Sequence, residues 1–371
     1  MFAAYTPVTG ARVLFSLLAL ELGANAFEVG LIAAGIQVPM LLFSVPVALL
    51  MDRLGGRWLL LAGSVFGVLA VLLAYFYPVL PAIIAASVLF GLWGVLTFQP
   101  TQAMTGLFSA PGEHARNFSL YQFFAAMTLL VGPFLAGISI DAFGHAGALL
   151  VLLPFPLASI ATLLFSGAIL ESPHAARARG PGLRETLADS RVWRLIAISS
   201  ISSVGFELYP FFLPLYGHAA GLSASSIGSI VSLAAVGGLA LPFVLAQLVQ
   251  RVGEERVLAG CLVLTAAGFV IVPFTVNVAL LVLSALLFGF GVAATIPVTS
   301  MLAYSRLPAV RAGQFLGLRN AGNAGARGVA PPIFGALAAL VGLPAVFVVV
   351  AVMMGLAGAW VGRAATDSKQ I

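Results

Sequence analysis

Long apolar segments recur along the whole chain, and most are long enough to cross a lipid bilayer. A helix needs about 20 mostly apolar residues to span the hydrocarbon core. The chain has 371 residues, of which 61% are apolar and only 8% are charged, too few charges to cover the surface of a soluble protein. A transmembrane barrel would instead show alternating segments of about 10 residues. The sequence therefore predicts an all-α integral membrane protein.

Twelve transmembrane helices can be placed between the charged or turn-forming segments, with ends set to within a few residues. The predicted spans are residues 3–22, 27–51, 58–77, 80–107, 117–140, 146–169, 195–217, 224–249, 257–275, 278–304, 313–340 and 344–362.

The basic residues predict the orientation of these spans. With the amino terminus placed inside, 14 of the 17 Lys and Arg residues fall in inner segments, three fall within spans and none falls in an outer loop. Positively charged loops stay on the cytoplasmic side of a membrane. Both termini are therefore predicted to be cytoplasmic, in an inner (plasma) membrane. Because the arginines occupy short turns rather than one patch, the net charge of +5 does not indicate a nucleic-acid partner.

One short charged turn, residues 52–57, packs an acid, two arginines and two glycines between two apolar runs. A related turn, residues 250–256, follows 198 positions later. A turn this polar belongs in water at a membrane face. Its repetition, once in each half of the chain, indicates an internal duplication.

The turn resembles the signature loop of the major facilitator superfamily of transporters, of the bacterial twelve-span type, in which a Gly precedes Asp-Arg-x-Gly-x-Arg/Lys. The matching positions are Asp52, Arg53, Gly55 and Arg57. The leading small residue is Ala48, and Gln250 replaces the acid in the second copy. The resemblance implies that this loop, with Arg116 in a neighbouring inner loop, controls the change between inward-open and outward-open forms.

The two halves of the chain align without gaps over several stretches. Residues 89–91, 119–122 and 132–137 match residues 198 positions later. A loop with Pro and Gly breakers, 171–194, separates a predicted bundle at 1–170 from one at 195–371. Two parallel repeats of six helices describe the superfamily fold, with substrate held near the midplane between pseudo-symmetric bundles.

Charged side chains inside the predicted spans are the first candidates for function, because charge near the bilayer centre is costly. Arg12, Glu207 and Arg327 lie near the middle of spans one, seven and eleven. Each shares a helix face with other polar residues, including Asn323 one turn before Arg327. One interpretation is that an arginine pairs permanently with Glu207 as a structural clamp. The other is that these residues bind substrate and carry protons.

Span four adds two amides, Gln99 and Gln102, at helical spacing. An amide cannot satisfy all its donors within its own helix, so these are candidate substrate contacts. The resemblance implies that spans one, four, seven and ten line the central cavity. Five ionisable residues near the predicted outer surface are interpreted as interfacial: Glu21, Glu28, Asp141, His145 and His218.

Span five contains Gly132, Pro133 and Gly137, which resemble the Gly-Pro-x-x-Gly-Gly core of the antiporter motif of exporters. The match is partial, since Ala136 replaces a glycine and the arginine usual in span four of proton-coupled drug exporters is replaced by Ser87. Small residues beside a proline let helices approach and bend. The segment is therefore predicted to be a hinge or a packing face.

Together these features predict a secondary transporter that moves a small molecule by alternating access. A proton gradient with Glu207 as carrier is the predicted drive, and a small organic anion the predicted substrate. The chain has no Gly-x-x-x-x-Gly-Lys-Ser/Thr loop for ATP. No cofactor, metal or nucleic-acid partner and a monomer in the lipid bilayer are expected. The alternatives are a proton-coupled exporter of lipophilic drug-like compounds, a transporter-like sensor and, from a different class, a membrane enzyme.

Overall fold

The computed structural model describes residues 2–107, 114–165, 189–306 and 309–367. This part of the chain is helical throughout its long segments, with no strand among the described residues. The helices are α1 Phe2–Glu21, α2 Ala26–Leu54, α3 Gly56–Phe76, α4 Leu80–Leu107, α5 His114–Leu152, α6 Pro154–Phe165, α7 Ser190–Ala219, α8 Ala224–Leu233, α9 Ala235–Val252, α10 Glu254–Ile271, α11 Val278–Arg306, α12 Ala309–Val341 and α13 Leu343–Asp367. A short 3-10 turn, Val272–Phe274, follows α10.

These helices account for all twelve predicted spans. Ten described stretches are long and apolar enough to cross a membrane, and the longest, Leu120–Phe165, contains two predicted spans joined at a bend. The bend lies at Gly144, where the backbone leaves the helical region with φ 69° and ψ 177°. Helix α1 corresponds to the first span. The eighth span is divided into α8 and α9, with Ala234 between them.

The described chain forms two compact units. The first contains the described residues of Met1–Ala176 together with Leu213–Ser232. The second contains those of Arg177–Phe212 and Leu233–Ile371. The predicted boundaries 1–170, 171–194 and 195–371 stay a prediction, since residues 166–188 lie outside the described part of the chain.

The glycines with positive φ repeat at the spacing of the predicted duplication. All six in the described chain form three pairs 198 positions apart: Gly23 and Gly221, Gly55 and Gly253, Gly144 and Gly342. In the charged turns, Gly55 and Gly253 have φ of 78° and 87°. Each donates its N–H over 2.9 Å to the carbonyl four residues earlier. Only glycine adopts this conformation at little cost, so both turns end one helix and start the next in the same way.

Helix packing inside the units also repeats, with the sizes of facing side chains exchanged. In the first unit Gly67 on α3 packs against the buried ring of Trp93 on α4. At the positions 198 residues later, Thr265 on α10 packs against Gly291 on α11. Close packing of a small residue against a larger one brings helix axes together where lipid supplies no hydrophobic drive. At these equivalent positions the small residue and the larger residue are therefore exchanged between the two halves.

Candidate functional site

The buried polar residues of the second unit lie mainly on α7, α11 and α12. Glu207 on α7 is fully buried, and Asn323 and Arg319 on α12 are 5% and 6% exposed. In a chain this apolar, such residues must face protein or a water-filled cavity rather than lipid. The predicted polar stripes of spans seven and eleven are thus turned inward.

The amide of Asn323 is held between α7 and α12. Its Nδ2 donates to Ser199 Oγ over 3.0 Å, and Ser200 Oγ donates to its Oδ1 over 3.4 Å. Both partners are hydroxyl groups on α7, so they hold the amide from two sides. Asn323 is therefore held in place, with a second N–H donor left on Nδ2 and a second acceptor lone pair left on Oδ1.

Arg327, one turn further along α12, lies over the ring of Phe206, with 5.0 Å between its guanidinium carbon and the ring centroid. Such cation–π contacts are stronger where water is excluded. Phe206 directly precedes Glu207 on α7, so the aromatic ring and the carboxyl group belong to adjacent residues of one helix. Sequence reasoning missed Phe206, because an aromatic residue in an apolar span has the appearance of ordinary core.

Arg319 occupies a different environment from Arg327. Its Nη1 donates to Ser300 Oγ over 2.7 Å and to the Ile296 carbonyl over 3.2 Å, both on α11. These acceptors flank Pro297, which cannot continue the backbone hydrogen bonding of α11. These bonds tie Arg319 to the proline-containing turn of a neighbouring helix.

In the first unit, Arg12 on α1 is 6% exposed and lies among hydrogen bonds that fix its helix. Thr9 Oγ1 donates to the Thr128 carbonyl on α5 over 2.6 Å, and Ser16 Oγ donates to the Arg12 carbonyl over 2.7 Å. The first bond ties α1 to α5. The second bonds a hydroxyl back to its own helix, as is usual for serine in a span.

The two predicted glutamines of α4 differ in burial. Gln99 is half-buried, whereas Gln102 is exposed. A third amide, Gln37 on α2, is 5% exposed and was missed. The signal was available, because an amide in an apolar span cannot satisfy all its donors within its own helix, which is the argument applied to Gln99.

An aromatic cluster in the first unit joins α1, α4 and α5. Phe98 packs against Tyr5 and Tyr121, with ring centroids 5.6 and 6.0 Å apart. Tyr121 is 4% exposed, and its hydroxyl donates to the Phe98 carbonyl over 3.4 Å. Tyr121 was missed as well.

The predicted gating loop is described only in part. The backbone of the turn is described and Arg53 and Arg116 are exposed, which places both arginines at a surface. Arg57 is half-buried. The side chain of Asp52 lies outside the described residues, so the predicted gating role of this loop stays a prediction.

The three residues of the antiporter-like segment contact two different elements. Gly132 lies against α1, where an added Cβ would come 2.6 Å from the Thr6 carbonyl oxygen. Gly137 and the carbonyl of Pro133 lie against α8. All three residues are buried. The backbone of this segment therefore lies close to two other helices, α1 at Gly132 and α8 at Pro133 and Gly137.

The comparisons with known proteins agree with this architecture. The family model described as Major Facilitator Superfamily matches residues 1–226 and 195–370. No curated protein sequence matches the chain.

Solved transporter structures share its fold at low sequence identity. The nucleoside transporter NupG is 12% identical, with 98% of this chain and 99% of that chain covered and a TM-score of 0.80. A POT family transporter in complex with 5-aminolevulinic acid is also 12% identical, with coverage of 99% and 95% and a TM-score of 0.78. A bacterial homolog of the human lysosomal transporter Spinster is 13% identical, with coverage of 98% and 95% and a TM-score of 0.78. The chain therefore belongs to the major facilitator superfamily, and its fold is that of the superfamily's transporters.

Proposed function

We propose that this chain is a proton-coupled secondary transporter that moves a small organic anion across the inner membrane by alternating access. The observation that carries the proposal is the charge of the ionisable residues within the described spans. The described spans contain three arginines, Arg12 in the first unit and Arg319 and Arg327 in the second. They contain one deep carboxyl group, that of Glu207. Arginine stays protonated even when buried, so the spans carry more positive than negative charge.

A carboxylate on the substrate would offset this excess of positive charge. Arginine binds carboxylates through two parallel hydrogen bonds, which gives both affinity and orientation. The fixed amide of Asn323 adds a donor and an acceptor one turn from Arg327. A relative of the same fold is described in complex with 5-aminolevulinic acid, which is itself a carboxylic acid.

The proposed roles follow from position. Arg12, Arg327 and Asn323 bind substrate, with Gln99 and Gln102 as further contacts, and Glu207 carries the proton. The loop containing Asp52, Arg53, Gly55 and Arg57, with Arg116, controls the conformational change. Gly132, Pro133 and Gly137 provide packing that lets α5 move.

The second candidate function is export of a lipophilic, drug-like cation against protons. The close packing of Gly137 and Pro133 against α8 favours it, because this segment resembles the antiporter motif. In that case Glu207 binds the cation, and the arginines do not contact substrate.

A ligand screen on purified protein separates the two candidates. We expect a small carboxylate to raise the melting temperature while its neutral amide analogue does not. Arg12→Gln and Arg327→Gln are each expected to weaken carboxylate binding by about tenfold or more, since a hydrogen bond to a charged group contributes about 1.5–3 kcal/mol. If both variants bind as the native protein does and a cationic dye requires Glu207, the exporter replaces the anion transporter.

The orientation is tested by labelling two single cysteines in a Cys261→Ala background. Val276 is 59% exposed and lies between α10 and α11, in a predicted outer loop. Ser190 is exposed at the start of α7, on the predicted inner side. An impermeant thiol reagent added to intact cells is expected to label Val276→Cys and to leave Ser190→Cys unlabelled. The reverse pattern would invert the topology.

A further inference from the structure

An arginine of α7 stacks on a tryptophan of α13 at the predicted inner end of the second unit. The guanidinium carbon of Arg194 lies 5.9 Å from the centroid of the Trp360 ring. About three turns further along α7 the same two helices touch again, since a Cβ at Gly205 would come 2.7 Å from Met354 Cε. Helices α7 and α13 are therefore neighbours, and the stacked pair lies between them.

Helix α13 exposes one stripe of side chains that changes from apolar to basic toward its predicted inner end. All members of the stripe are exposed, and they recur every three or four residues: Val352, Leu356, Trp360 and Arg363. This spacing puts them on one face of the helix. The opposite face packs against α10, where a Cβ at Gly358 would come 3.1 Å from the Ala259 carbonyl oxygen. The stripe therefore faces away from the interior of the second unit.

The internal duplication shows that the fold itself does not require this arrangement. The residue 198 positions before Trp360 is Thr162, whose hydroxyl donates to the Ala158 carbonyl of its own helix. The residue 198 positions before Arg363 is Phe165. Helix α6 thus has neither the tryptophan nor the arginine at its end. The aromatic and basic end of the stripe is specific to the second half of the chain.

These side chains match the parts of an anionic phospholipid in order. An arginine stacked on a ring keeps the N–H donors at the edge of its guanidinium group, and these can bind a phosphate through two parallel hydrogen bonds. Arg363 adds a second positive charge one turn from Trp360. Tryptophan favours the depth of the lipid headgroups, and basic pockets between helices on the cytoplasmic side bind anionic headgroups. Leu356 and Val352 continue the same face toward the hydrocarbon core, at the depth of the acyl chains.

We propose that the predicted inner ends of α7 and α13 bind one anionic phospholipid, at a place we call the inner lipid site (Arg194, Val352, Leu356, Trp360 and Arg363). The phosphate binds Arg194 and Arg363, and an acyl chain follows Leu356 and Val352. A free phosphate would use the arginines alone, so the exposed apolar part of the stripe favours a lipid. The site lies within the second unit and shares no residue with the proposed substrate site. The proposal therefore does not depend on which substrate the protein transports.

The inner lipid site is tested by native mass spectrometry of the purified protein, titrated with two lipids that have the same acyl chains. Phosphatidylglycerol carries a net negative charge, whereas phosphatidylcholine has no net charge. The test variants are Arg194→Gln, the double variant Arg194→Gln with Arg363→Gln, and Trp360→Leu. The matched controls are Arg251→Gln, at the exposed end of α9, and Trp58→Leu, at the exposed start of α3.

The native protein is expected to bind one phosphatidylglycerol more tightly than phosphatidylcholine. Arg194→Gln should weaken phosphatidylglycerol binding by roughly fivefold and the double variant by roughly 25-fold, since each arginine near an anionic surface contributes about this factor. Trp360→Leu should weaken it by roughly threefold, because the ring no longer orients Arg194. Both controls should match the native protein. If one test variant melts at a lower temperature without lipid, the others carry the test, since all the substituted side chains are exposed.

Three results would overturn the inner lipid site. Equal affinity of the native protein for the two lipids would remove recognition by charge. Equal effects of Arg194→Gln and Arg251→Gln would mean that phosphatidylglycerol responds to overall positive charge rather than to one site. Displacement of phosphatidylglycerol by glycerol 3-phosphate at equal concentration, with Trp360→Leu unchanged from the native protein, would identify a site for a soluble anion instead.

Discussion

Replacing Glu207 with glutamine is expected to abolish accumulation of substrate against its gradient while leaving substrate exchange intact. Glu207 is the only acid deep in a predicted span and is fully buried on α7. Burial favours the neutral carboxyl and a nearby arginine favours the ionised one. A carboxyl group that meets an arginine in only one conformation therefore takes up a proton in one state and releases it in the other. Glutamine keeps the shape of the protonated form and cannot release a proton.

The measurement uses proteoliposomes with an imposed pH gradient and the carboxylate found by the stability screen. In the native protein the internal concentration should exceed the external one, whereas in Glu207→Gln the two should become equal. Counterflow of labelled against unlabelled substrate should persist in the variant. Glu28→Gln, which changes an exposed cap on α2, should accumulate substrate as the native protein does. Unchanged accumulation by Glu207→Gln would exclude Glu207 as the proton carrier.

Substituting Gly237 with alanine is expected to destabilise the protein strongly, while the same substitution at Gly238 is not. The two glycines are adjacent on α9. A Cβ at Gly237 would overlap backbone atoms of Gly289 and Phe290 on α11, whereas a Cβ at Gly238 meets nothing within 4 Å. Backbone cannot move aside as a flexible side chain can, and overpacking costs about 1–3 kcal/mol or more.

Thermal unfolding in detergent, followed by size-exclusion chromatography, measures this difference. Gly237→Ala should lower the melting temperature and the monodisperse yield. Gly238→Ala should match or slightly exceed the native value, because alanine favours a helix by roughly 1 kcal/mol over glycine. Equal melting temperatures for the two variants would contradict the close contact of α9 with α11.

Much of the fold was predictable because its causes are local. Apolar segment length predicts the spans, and the charged turns predict where helices end, as the matched conformations of Gly55 and Gly253 confirm. The repeat at 198 positions was visible from short sequence matches. What local patterns missed was the length of α5, which runs beyond its predicted end to a bend at Gly144.

The site was less predictable, because its geometry depends on contacts between distant segments. Helical spacing correctly predicts that Asn323 and Arg327 share a face of α12. It does not indicate that Ser199 and Phe206 on α7 hold them. Asp141 was interpreted as interfacial, which is consistent with its exposure. Asp141 also accepts hydrogen bonds from the Ala224 and Ser225 N–H groups of α8. The sequence did not predict these bonds, because nothing near Asp141 in sequence identifies the partner.

The central claim, that this chain is a transporter coupled to protons, is tested most directly by uptake into sealed proteoliposomes of native protein. With the interior more alkaline than the exterior, the stabilising carboxylate should accumulate, the uptake should saturate, and a protonophore should collapse it. Binding of the same carboxylate with no accumulation under any gradient would contradict the claim and identify the chain as a sensor with a transporter fold.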